Sequence, residues 1–221
     1  MKTILLAATL LAAVAGLGPA MAQTMDEPPV GKQAGTFMIR ARAIGVIPLN
    51  SSSSISAIGG KVETSNAAAP ELDFSYFLTD NVAVELIAAT TKHTLYAKNS
   101  ALAPNGSVNV GSTWVLPPTL LLQYHFMPKE RFSPYIGAGL NVSFFYSSSP
   151  SGGAINQLAM KNNVGAAIQA GFDYNVSGHW FLNFDVKQIF VNTTASINGG
   201  AVKAKTALNP FVVGAGIGYR F

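Results

Sequence analysis

The chain has 221 residues, 14 Lys and Arg against 10 Asp and Glu, a formal net charge of +4 and no cysteine. So small a positive excess, with no basic stripe, speaks against a nucleic-acid partner, and three scattered histidines without a thiol give no metal-ligand cluster and call for no cofactor. Charged residues make up only 11%, less than half the share usual in soluble domains. The first elements are those of export. Lys2 precedes an apolar run from Ile4 to Leu17, Gly18-Pro19 breaks it, and Ala20-Met21-Ala22 offers small residues around a cleavage point. Residues 1–22 are therefore predicted to be a secretory signal peptide, the apolar run being short for a membrane span. Residues 23–34 are polar and proline-bearing, and are expected to form a mobile periplasmic arm.

From residue 35 onward the chain alternates. In the first predicted strand, about 35–48, Phe37, Ile39, Ala41, Ala43 and Ile47 face one way and Met38, Arg40, Arg42, Ile44 and Val46 the other. Successive side chains of a strand point to opposite faces, so this is a two-faced strand. Residues 49–69, rich in Ser, Gly and Ala, are expected to be a long loop with at most some extended structure at its ends. The second strand sets Leu72, Phe74, Tyr76 and Leu78 against Glu71, Asp73, Ser75 and Phe77. A tight turn at Thr79-Asp80-Asn81 leads to the third, with Val82, Val84, Leu86 and Ala88 against Ala83, Glu85, Ile87 and Ala89. A second loop is expected at 92–111. The fourth and fifth strands then flank a short turn carrying Pro128, Lys129, Glu130 and Arg131, with Leu120, Leu122, Tyr124 and Phe126 on one face and Leu121, Gln123 and His125 on the other. Loops at 147–161 and 192–207 bracket the sixth and seventh strands, which turn at 175–179. The last strand ends the chain with Phe211, Val213, Ala215, Ile217, Tyr219 and Phe221 on one face.

Connections thus alternate long and short through eight strands. Outer-membrane barrels have short periplasmic turns and longer outside loops. The pattern predicts an all-β fold, an eight-stranded antiparallel transmembrane β-barrel over residues 35–221, with four long extracellular loops and both termini on the periplasmic side. With the aliphatic and aromatic faces turned to outer-membrane lipid, the other face fills a lumen too narrow for a wide aqueous channel. Arg40, Arg42, Asp73, Glu85, Asp173, Asp185, Lys187 and Arg220 are then expected mostly at the middle and periplasmic end, where both signs can pair as a charged plug led by Arg40, Arg42, Asp73, Glu85, Asp185 and Lys187. Ile44, Val46, Ile87, Val115, Leu121, Ile189 and Val212 are expected to line an apolar chamber above it, where an apolar guest could bind. Passing such a guest downward would strip the ion pairs of their polar contacts. Proline cannot donate a ladder hydrogen bond, so Pro48, Pro117 and Pro118 mark the expected weak points for a sideways exit. Tyr219 and Phe221 form a terminal aromatic signal of the kind read by outer-membrane assembly machinery.

Leu116-Pro117-Pro118-Thr119-Leu120-Leu121-Leu122-Gln123-Tyr124-His125-Phe126, Pro134-Tyr135-Ile136-Gly137-Ala138-Gly139-Leu140-Asn141 and Phe77-Leu78-Thr79-Asp80-Asn81 resemble segments of the OmpW family of small outer-membrane barrels, which includes the AlkL-type proteins. The stretch from Trp180 to Lys187 and the closing Gly214 to Phe221 match as well. The resemblance implies an eight-stranded barrel that helps small hydrophobic molecules cross the outer membrane. Two other classes stay open. A lipid-modifying barrel enzyme would need a histidine with a hydroxyl and a carboxylate in reach. His93 has Thr91 and Glu85 on its own strand but could meet them only with a bend, and has no serine beside it. His125 is expected near the periplasmic rim, far from the outer leaflet, and His179 lies in a turn. A structural or adhesive barrel would work through loops such as the serine runs 51–54 and 147–149.

Overall fold

The computed structural model describes residues 31–221; the predicted signal peptide and most of the predicted arm lie outside the described residues. Strands in the first half are β1 (Phe37–Ile47), β2 (Ser52–Ile55), β3 (Lys61–Thr64), β4 (Ala67–Phe77), β5 (Val82–Ala89), β6 (Thr91–Ser100), β7 (Ala103–Leu116) and β8 (Thr119–His125). The second half adds β9 (Phe132–Pro150), β10 (Leu158–Met160), β11 (Asn163–Ser177), β12 (Trp180–Ile189), β13 (Asn192–Ile197), β14 (Val202–Ala207) and β15 (Phe211–Arg220).

Eight of these form a ring in the order β11-β12-β15-β1-β4-β5-β8-β9, all antiparallel, and β9 pairs back onto β11 from Phe132↔Tyr174 to Ser143↔Asn163. Closure leaves no free strand edge, which hydrocarbon demands because it offers backbone N–H and C=O groups no partner. The period-two pattern sets the orientation. Leu122, Ile136 and Ile217 point outward and are more than half exposed, and Leu140 and Val164 reach 62% and 65%. Their neighbours Leu121, Tyr135 and Asn141 are buried in the lumen. So much exposed aliphatic surface on every strand belongs in lipid rather than water. Aromatic residues gather near the periplasmic ends of the strands: Trp180 lies against Tyr219 at 4.9 Å between ring centres, Tyr219 against Phe221 at 5.0 Å, and Tyr124 against Phe126 at 5.2 Å. Small residues make the narrow lumen fillable. A Cβ at Gly171 would stand 2.6 Å from the Tyr135 hydroxyl, so the glycine leaves room for that ring.

Two expectations are corrected. The four stretches read as long loops are largely paired. β10, β13, β14 and β2 form one four-stranded sheet above the barrel, while β3, β6 and β7 continue the upper part of β9 into a second sheet. The two share an apolar core of Ile55, Val62, Leu95, Val110, Leu158 and Ile197 among others. Their alternation is written in small residues: Thr193, Ala195 and Ile197 are buried, while Asn192, Thr194 and Ser196 between them are not. Ser, Gly and Asn signal turns by composition, and here pairing overrides that signal. The second correction concerns the arm. Its last residues are docked: the Lys32 N–H donates to the Pro128 carbonyl at 2.8 Å, Arg220 donates to the Gly31 carbonyl, and the Lys32 side chain is fully buried inside the barrel mouth.

Phe221 closes the ring at its periplasmic rim. Its N–H donates to the Phe37 carbonyl at 2.9 Å, while its side chain is 65% exposed on the lipid face. Deleting Phe221 is expected to lower the folded, heat-modifiable fraction found in the outer membrane of expressing cells. An unchanged fraction would deny it a role in assembly.

Candidate functional site

The lumen is built in two layers, and the register of β1 on β4 creates the lower one. Arg40 stands opposite Asp73 and Arg42 opposite Glu71, so two arginines two residues apart meet two carboxylates with the same spacing. Arg40 forks onto Asp173 at 2.9 and 2.8 Å and also donates to Asp73 at 2.9 Å and Ser75 at 2.6 Å. Arg42 donates to Asp73 and to Glu85, the latter at 2.8 Å. Its remaining nitrogen lies 3.1 Å from an Asp185 oxygen, an ion pair without hydrogen-bond alignment. Lys187 bridges Glu71 and Asp185 at 2.8 Å each, Tyr135 donates to Asp185 at 2.9 Å, and Gln169 donates to Glu85 at 2.8 Å. Lys32 reaches Asp173 at 2.6 Å from below.

Of the eight charges expected to close the lumen, seven meet in this layer, joined by Glu71 and Lys32, while Arg220 lies at the periplasmic rim and donates to the Gly31 carbonyl. Glu71 shares the inward face of its strand with Asp73, so its periodicity was available to find it. Lys32 precedes the first strand, and no periodicity points to it.

Above the charges lies an apolar cavity of about 70 Å³. On the same measure one water needs roughly 10–15 Å³, so the space suits a slender guest. Ile44, Val46, Ile87, Val115, Ile189 and Val212 line it as expected, joined by Val191, Leu208 and Phe145. Leu121 does not. It is buried in the same apolar cluster but pairs across the sheet with Glu85, at the level of the ions. Glu71 and Lys187 form the floor, and Thr64, Leu95 and Met160 bring the extracellular sheets over the top.

The prolines behave differently from one another. Between the third and fourth barrel strands the register passes from Ile87↔Thr119 to Thr91↔Val115, which leaves Pro117 and Pro118 outside the ladder on that side. On the other side Val142 still donates to the Pro118 carbonyl at 3.0 Å. Pro117 lines the cavity, whereas Pro118 does not. Pro48 lines it too, but the chain just beyond is bonded, with Leu49 and Asn50 both donating to the Leu208 carbonyl at 2.9 and 3.2 Å. Of the three prolines, Pro117 and Pro118 are thus the ones that stand at a gap in a strand ladder.

The histidines do not assemble with one another. His93 contacts the Thr91 hydroxyl at 2.9 Å and the Ser65 carbonyl at 2.8 Å. His125 packs between Phe77 and Tyr135, and His179 sits at the periplasmic rim against the Arg220 carbonyl.

Comparison with known proteins agrees with this architecture. The model of the OmpW family matches residues 33–221. The chain is 44% identical to the outer-membrane protein y4mB of Sinorhizobium fredii, over 97% of this chain and 95% of that one. It is 32% identical to outer membrane protein W of Vibrio cholerae, over 91% and 95% respectively. The crystal structure of the outer membrane protein OprG from Pseudomonas aeruginosa superposes with a TM-score of 0.79 at 30% identity, covering 86% of this chain and 98% of that one. A closed eight-stranded ring with a lipid-facing exterior, matched by a family model over nearly its whole described length, places this chain in the OmpW family of outer-membrane β-barrels.

Proposed function

We propose that the barrel mediates passive uptake of small hydrophobic molecules, which enter from outside, rest in the apolar chamber and leave sideways into the membrane. The observation that carries this reading is the pairing of an apolar cavity with a floor of interlocked ions and a gap in the strand ladder beside it at Pro117-Pro118. A guest held among Ile44, Val46, Ile87 and Val212 gains by leaving water. Continuing straight down would mean parting Arg42 and Lys187 from their carboxylates, and uncovering buried charge is far more costly than crossing an apolar gap. The membership of the chain in the OmpW family supports the same reading.

Replacing Pro117 and Pro118 together by Val and Thr supplies the missing backbone donors and should let the third and fourth barrel strands zip past the gap. Uptake of a small alkane into liposomes carrying the variant is expected to fall several-fold, while equilibrium binding to the folded protein holds. Unchanged uptake would reject the lateral exit. Absence of both uptake and binding in the parent protein would favour a structural barrel that presents its extracellular sheets.

A further inference from the structure

Pro117 and Pro118 sit on a strand that is held firmly on one side and sparingly on the other. Toward β9 the bonding runs across both prolines. Leu116 pairs with Phe144 and Thr119 with Asn141, Val142 donates its N–H to the Pro118 carbonyl at 3.0 Å, and the Asn141 side-chain amide donates to the Pro117 carbonyl at 3.1 Å. Toward β5 and β6 the ladder stops at Ile87↔Thr119 and resumes at Thr91↔Val115, so Ala88, Ala89 and Thr90 face Leu116, Pro117 and Pro118 without a backbone pair. This seam runs between cavity and lipid. Ala89 and Pro117 line the cavity, Ala88 is exposed on the lipid face, and the two alanines put little bulk in the way.

A side chain crosses where the backbone does not. The Thr90 hydroxyl lies 3.3 Å from the Val115 carbonyl and 2.6 Å from the Tyr146 hydroxyl. The carbonyl can only accept, so Thr90 donates to it and the Tyr146 O–H donates to Thr90. Tyr146 belongs to β9, and its ring stacks on Trp114 of β7 at 6.4 Å between ring centres. A tyrosine anchored on the firm side thus reaches over the intervening strand and ties down the far edge of the seam. Resting on the uptake reading above, we infer that Thr90 and Tyr146 form the latch of the sideways exit. Their tie holds the seam shut and sets how fast a guest leaves, not how tightly it is held. Neither residue lines the cavity, so breaking the tie keeps the guest's contacts; both are exposed, so losing a hydroxyl there opens no void inside the barrel.

The test measures the initial rate of nonane uptake into liposomes, against protein-free liposomes, and equilibrium binding of nonane to the folded protein in nanodiscs, against empty nanodiscs. Tyr146→Phe and Thr90→Val each remove one hydroxyl of the pair, and the heat-modifiable gel shift verifies folding. Either variant is expected to raise the uptake rate roughly fivefold, the worth of one ordinary hydrogen bond in the opening equilibrium, with binding unchanged. The double variant should match Thr90→Val, since both changes break the same bond. In protein that also carries Pro117→Val and Pro118→Thr, where a continuous ladder closes the seam, neither change should alter the rate. Uptake at or below the parent rate in the folded single variants, or a rise that persists behind the continuous ladder, overturns the latch while the uptake reading stands. If the parent protein neither binds nor takes up nonane, both fall together.

Discussion

Arg42→Met is expected to destabilise the folded barrel by about 3–5 kcal/mol, the penalty typical of removing one partner from a buried ion cluster. The arginine lies within ion-pair distance of four carboxylates, Glu71, Asp73, Glu85 and Asp185, and all of them are buried. Met fills similar space but leaves those charges with Arg40 and Lys187 as their remaining cations nearby. Arg42→Lys should recover only part of the loss, because an ammonium is a point charge and cannot hold the forked geometry of a guanidinium. The double variant Arg42→Met with Glu85→Leu should recover more, since it removes a charge of each sign together. Reversible denaturant unfolding in lipid, followed by tryptophan fluorescence and gel mobility, gives the comparison. A single variant as stable as the parent would mean that water solvates the layer and that its dense pairing contributes little.

The second large effect is functional. Val46→Asp should reduce both binding and uptake of a small alkane roughly tenfold or more, because an ionised carboxylate on the chamber wall must keep its water and an apolar guest cannot replace it. Val46 is the informative position. It lines the cavity, and its cross-strand neighbours are Val212 and Ala67, neither of which can neutralise an introduced charge. Asp at Leu121 would instead face Glu85 and enter the ion layer, mixing a functional effect with a structural one. Val46→Thr keeps the volume without the charge and should fall between the two. Normal uptake by a well-folded Val46→Asp protein would show that guests do not pass through this chamber.

Much of the barrel was readable because its strands carry large residues on one face. Leu120, Leu122 and Tyr124 against Leu121, Gln123 and His125 leave little choice of orientation once the outside is lipid. The ion layer was readable for the same reason: charges on inward faces must find one another. What escaped has physical causes. Whether an inward residue belongs to the chamber or to the ions depends on the stagger of neighbouring strands, and the sequence of one strand does not contain it. Leu121 was therefore placed on the chamber wall, whereas it packs in the apolar cluster outside the cavity lining, across the sheet from Glu85. Thr64 sits in a stretch whose composition reads as loop, so neither its strand nor its inward direction was visible, and Lys32 enters the lumen from a segment with no alternation at all.

The paired construction of the extracellular end also bears on how this surface can change over evolutionary time. Four flexible loops could drift almost freely under attack from antibodies or phage. Here Val62, Leu95, Val110 and Ile197 interlock in one core, and slipping any of their strands by a single residue would turn its greasy side to water. Room for novelty is confined to outward-pointing side chains and to turns such as 56–60, 101–102 and 198–201, so disguise is possible only at the tips and on the skin of a rigid scaffold.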